Sequence, residues 1–157
     1  MAQPGVAGDW SVKDMLAHIA WYEREEADVY GEVSGEGSPL WNVPQEPRNR
    51  ILFEQARGRP LEEVLADFRE AHERFLGVIE RLSEEDLARP GRFPGTSPEW
   101  PPWRKIAVHS CDHDQEHIDM IRAWLGRESP ERGCLQYRQS LDEQLPDAPR
   151  SDAPYRP

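Results

Sequence analysis

LEEVLADFREAHERFLGVIERL, running from Leu61 to Leu82, decides the fold. Leu61, Val64, Leu65, Phe68, Ala71, Phe75, Leu76, Ile79 and Leu82 recur at helical spacing, with acidic and basic residues opposite. Pro60 suits a first helical turn, so the spacing predicts a helix over about 60–82. Upstream, Ile51, Leu52 and Phe53 sit in a shorter predicted helix over 46–57, ended by Gly58. Further upstream, Ser11 offers an N-cap with Asp14 three residues on, where Glu or Gln is usual. Val12, Met15, Leu16, Ile19, Tyr22 and Val29 then extend a helix over about 11–30. Residues 1–9 read as a flexible lead-in, and Gly31 to Pro44 as a loop that carries the apolar Leu40 and Trp41.

Downstream, Ser83 to Leu87 reads as a small capped turn. Pro90 to Pro102 holds five prolines and two glycines, which forbid regular structure. Helical spacing resumes from Trp103 to Leu125, with Ile106, His109, Ser110, His113, His117, Ile121 and Trp124 along one side and Gly126 as the stop. Residues 127–157 form a polar, proline-rich tail, with a short helical piece expected at 134–145. The chain thus divides into a helical domain over 1–126 and this tail. Three long amphipathic helices without a period-2 strand pattern predict an all-α bundle.

The chain has 157 residues, enough for one domain with a core. Its net charge of -11 argues against nucleic-acid binding, which needs Lys and Arg to neutralise phosphates. The same charge disfavours an anionic membrane surface. No apolar run is long enough to span a bilayer, and a signal-peptide pattern is missing, so a cytoplasmic location is expected. A small molecule is the expected partner. Cys111 and Cys134 make no disulfide framework, and Cys111 points away from the histidine side of its helix.

The chemistry lies in the histidines. His113 and His117 are four apart, so one helix face presents both imidazoles to one point. His18 lies on the apolar face of another helix and is placed to supply a third nitrogen. Three protein ligands with positions left open is the pattern of a reactive metal site. His109 is the rival third ligand, but its distance from His117 along the axis is about 12 Å, which favours a place in the pocket wall or behind the ligands. His72 reads as a structural histidine beside Phe68 and Phe75. Tyr22 and Glu25 follow His18 by one and two turns and are the candidate orienting and proton-transfer groups. Trp41 and Asn42 are placed to cover a pocket mouth. Trp100 and Trp103 read as core anchors. No phosphate loop, Gly-x-Ser-x-Gly or His-Glu-x-x-His motif is present.

Several segments resemble one family in order and spacing. Gly8 to His18 (GDWSVKDMLAH) resembles the signature of DinB-like proteins. Arg59 to Leu65, continuing to Phe68 and His72, is similar to their next conserved helix, and Ile79 to Leu87 to its exit. His113-Asp114-Gln115-Glu116-His117 with Ile121 to Leu125 resembles their closing element. The middle segments also resemble the ClbS/DfsB branch, whose best-known member protects against a genotoxin.

The resemblance implies an up-down-down-up four-helix bundle, often a homodimer. It implies a divalent metal, zinc or nickel, held by three histidines, which map to His18, His113 and His117. It implies an enzyme, a hydrolase or a thiol-dependent transferase or isomerase, acting on a small electrophile, with a low-molecular-weight thiol as a further cofactor. The alternative is a non-catalytic self-resistance binder of ClbS/DfsB type, with Trp41, Trp100 and Trp103 lining the pocket. Relatives carry a whole helix before the Gly-Trp-Ser segment, where only Met1 to Ala7 stand here. The first helix is therefore expected to be lacking or truncated. An upstream start, a partner chain or residues 134–145 are the expected means of covering the groove this leaves.

Overall fold

The computed structural model describes residues 1–31, 38–94 and 96–126. They form an all-α bundle with no β-strand among the described residues. The elements are α1 (Val12–Tyr30), a 3-10 turn (Pro39–Asn42), α2 (Gln45–Ala56), α3 (Leu61–Ile79), α4 (Glu84–Ala88), α5 (Pro102–Ala107), a π-helical turn (Val108–Asp112) and α6 (His113–Trp124). No helix among the described residues is long and apolar enough to cross a membrane. The proline-rich tail, with the helical piece expected at 134–145, lies outside the described residues.

The expected caps form. Ser11 Oγ accepts from the Asp14 backbone N–H, and the Asp14 carboxylate accepts from Ser11 N at 2.9 Å. Asp14 therefore closes the capping box that Glu or Gln usually closes. Ser83 and Asp86 repeat the device at α4. The 60–82 stripe is shorter in space. Pro60 is the N-cap of α3, and the helix ends at Ile79 with a turn over Glu80 and Arg81.

α1 is the central element, packed mainly along α3 and also against α2. Ala27, Val29 and Tyr30 meet Phe75 and Val78, and Ala17 meets Ala56 and Val64. Burying a side chain such as Val64 or Phe75 stabilises the fold by about 1.5–3 kcal/mol each. Because α1 is enclosed, its polar side chains must find partners inside. Lys13 Nζ donates to the carbonyls of Ala56 and Arg57 at 2.8 and 3.2 Å, where the C-terminal end of α2 favours a cation. Glu23 Oε1 meets His72 Nδ1 at 2.7 Å, which gives His72 the structural role expected of it, stacked on Phe68.

Residues 1–9 are not the flexible lead-in that their composition suggests. The amides of Gly5 and Val6 both donate to the Trp10 carbonyl, and the Lys13 amide donates to the Met1 carbonyl at 3.0 Å. The arm folds back over the end of α6. Gly5 has φ +118°, and a Cβ there would stand 3.0 Å from the Trp124 indole nitrogen, so glycine fits both the backbone and the close approach. No helix precedes Val12 among the described residues.

Candidate metal centre

Three imidazoles converge between α1 and α6. His113 Nε2 lies 3.0 Å from His18 Nε2 and 3.0 Å from His117 Nε2. One ligand atom from each of the three lies within 4.8 Å of the other two. The pair on α6 follows from helix geometry, since residues four apart share a face. His18 joins them because α1 and α6 are in contact.

Hydrogen bonding does not explain this cluster. His113 Nε2 holds either one proton or one lone pair, so it makes a good hydrogen bond to one neighbour and not to both. Two imidazole nitrogens bound at about 2.0–2.1 Å to one ion stand about 2.9–3.4 Å apart, which matches both contacts. The electrostatics agree. Burial, followed by the neighbouring imidazoles and Arg48, lowers the pKa of His18 to about 3. Burial, then His117 and His109, lowers His113 to about 3, and burial lowers His117. Neutral imidazole is the form that ligates a metal. The Nδ1 atoms of all three are buried without a hydrogen-bond partner among the described residues. This group could hold a metal ion.

The surroundings separate the other candidates. The helix predicted over 103–125 is interrupted by the π-helical turn at Val108–Asp112, where Ser110 Oγ also donates back to the Ile106 carbonyl at 2.7 Å. Such turns insert one residue and rotate what precedes them. His109 therefore stands apart from the cluster. Its Nδ1 lies 2.5 Å from Glu26 Oε1, and its ring stacks on Trp41 with centroids 6.0 Å apart. Glu26 is fully buried and also meets Lys105 Nζ at 3.4 Å. Burial raises its carboxyl, but Lys105 and His109 outweigh burial and hold it below the ordinary range.

Tyr22 packs its ring on His18 and His113, at 4.7 and 5.2 Å between centroids. Its hydroxyl donates to Asn49 Oδ1 and accepts from Arg48 Nε. Glu25 turns elsewhere: its Oε2 accepts from the Ser38 amide at 2.6 Å and tethers the loop that carries Trp41. Burial raises its carboxyl. Trp41 is half-buried and packs edge-on to Tyr22, whereas Asn42 is exposed. Cys111 is exposed, away from the histidines. Trp100 lies under the Arg104 guanidinium.

Glu26, Arg48 and Trp10 were not legible as site residues. Glu26 carried a signal, since it lies eight residues after His18 on the same face as Tyr22. Trp10 seals the arm side, edge-on to His18 and stacked on Phe53. Arg48 carried no signal in a chain rich in arginine.

No curated protein and no solved structure shows a significant match to this chain. The DinB superfamily matches it over residues 2–121, a span that contains nearly all of the arm and the bundle and all three histidines. An all-α bundle with three histidines brought together from its first and last described helices, in a chain so matched along most of its length, belongs to the DinB superfamily.

Proposed function

We propose that this protein is a metal-dependent enzyme, a hydrolase or a thiol-dependent transferase or isomerase, that acts on a small electrophilic molecule. His18, His113 and His117 hold the metal, zinc or nickel. The observation that carries the reading is the convergence of three neutral imidazole Nε2 atoms, from the buried His18 and the half-buried His113 and His117, on one point. Bound there, the ion would polarise a substrate or lower the pKa of a coordinated water or thiol.

The chain's own residues supply the rest. Tyr22, fixed by Asn49 and Arg48, orients a substrate beside His18. His109, backed by the Glu26 carboxylate, is held in one ring orientation and is the better proton-transfer candidate, because the Glu25 carboxylate is engaged with Ser38. Trp41 packs against both rings. A cytoplasmic homodimer with a low-molecular-weight thiol as co-substrate belongs to the same proposal. The non-catalytic binder of ClbS/DfsB type is the second reading, favoured by the aromatic wall of Trp21, Tyr22 and Trp41.

The test is metal content by mass spectrometry on untagged protein purified without chelator, beside His113→Ala. Near-stoichiometric zinc or nickel that is lost in the variant is expected. No metal in the wild type, even after reconstitution, overturns the enzymatic reading in favour of the binder.

A further inference from the structure

Arg48 is a buried cation with no counter-ion among the described residues. It is 8% exposed, yet no carboxylate lies within ion-pair distance of it among the described residues. Two other cations shielded from solvent each meet an acid, Lys13 with Asp14 at 3.3 Å and Lys105 with Glu26 at 3.4 Å. The chain has 30 acidic residues against 19 basic ones, so acids were plentiful. Glu25 and Glu26 on α1 are already engaged, Glu25 with Ser38 and Glu26 with His109 and Lys105. Glu46, in the same turn as Arg48, is exposed.

The guanidinium is held, not neutralised. Its Cζ lies 4.8, 5.3 and 5.7 Å from the ring centroids of Trp41, Tyr22 and Trp21. Nε donates to Tyr22 Oη at 3.1 Å, and Nη1 makes only long contacts of 3.4 Å to the carbonyls of Trp41 and Val43. Nη2 makes no hydrogen bond among the described residues. Arg48 also stands in the first turn of the 12-residue α2, the positive end of the helix dipole, where a cation is disfavoured. A buried charge in such a place needs an opposite charge. One Tyr22 ring separates it from His18.

We infer that Arg48 is a substrate-binding residue that receives a carboxylate of the small molecule acted on at the histidine cluster. The planar fork of donors fits a carboxylate better than a neutral group. The substrate is thus an anionic acid whose reactive end lies at the histidines and whose carboxylate reaches past Tyr22. This rests on the metal-site reading above.

The test is calorimetric titration of zinc-loaded and metal-free protein with 3-mercaptopropionate and its uncharged amide, 3-mercaptopropanamide. The ratio of the two affinities is compared between wild type and Arg48→Gln, which cancels differences in thiol acidity. The acid-to-amide ratio is expected to fall about tenfold or more in Arg48→Gln. Arg48→Lys, which keeps the charge but not the fork, is expected to fall severalfold, and it carries the comparison if Arg48→Gln does not fold. An unchanged ratio in folded variants that bind one zinc per chain overturns the role of Arg48 and leaves the metal site standing. No zinc binding, with an Arg48-dependent preference for the acid in metal-free protein, overturns the metal site and supports Arg48.

Discussion

Zinc bound to this protein should survive acid. Free imidazoles with a pKa of 6.5 each favour the proton over the metal by about 30-fold at pH 5, so three of them weaken a site by about 10^4 relative to pH 7.5. Here burial and the neighbouring charges lower His18 and His113 to about 3. Both stay neutral at pH 5 and leave nothing for the proton to displace. His117 is also lowered, by burial, and contributes at most one proton. The apparent zinc affinity should therefore fall by at most about 30-fold between pH 7.5 and 5.0. Competition against a chelator of known affinity at pH 7.5, 6.0 and 5.0 measures this, with far-UV circular dichroism confirming the fold at each pH. A fall near 10^4, with a three-proton dependence, would refute the claim that burial keeps these imidazoles neutral.

The same shifts act on the metal-free fold. His18 and His113 take up protons on unfolding but not in the folded state, so the stability they give is present above pH 6.5 and is lost as the pH falls toward 3. Asp114, raised to about 6 chiefly by burial, opposes this between pH 6 and 3.8, so the histidine contribution is read from urea unfolding of wild type against His18→Gln. An equal acid sensitivity in both proteins counts against it. Glu26→Gln should cost about 3–5 kcal/mol in urea unfolding, because it leaves Lys105 without its carboxylate in a mostly buried place. A cost below 1 kcal/mol would mean that water reaches Lys105. Ser11→Ala should cost about 1–2 kcal/mol by the loss of the buried capping box. Met15→Ala, at a position 1% exposed, should cost about 2–5 kcal/mol, and a smaller loss would show that the core collapses around it.

Local features were legible in the sequence. Helical periodicity over 11–30, 46–57 and 60–82 depends on neighbours three and four residues apart, and those helices form within a few residues of their expected ends. The pairing of His113 with His117 is local in the same sense, as are the capping boxes at Ser11 and Ser83. Contacts between residues far apart in the chain emerged only with packing. His18 meets His113 across 95 residues, and no spacing rule fixes that distance. That Glu26 reaches His109 while Glu25 meets Ser38 depends on how α6 and the Trp41 loop pack on α1. The π-helical turn, which takes His109 out of the cluster and gives it to Glu26, is one extra residue within an unbroken helical pattern. Arg48 shows the limit best. An arginine in an arginine-rich chain is unremarked until folding removes it from water with no acid beside it among the described residues, because desolvation belongs to the packed chain and not to the residue.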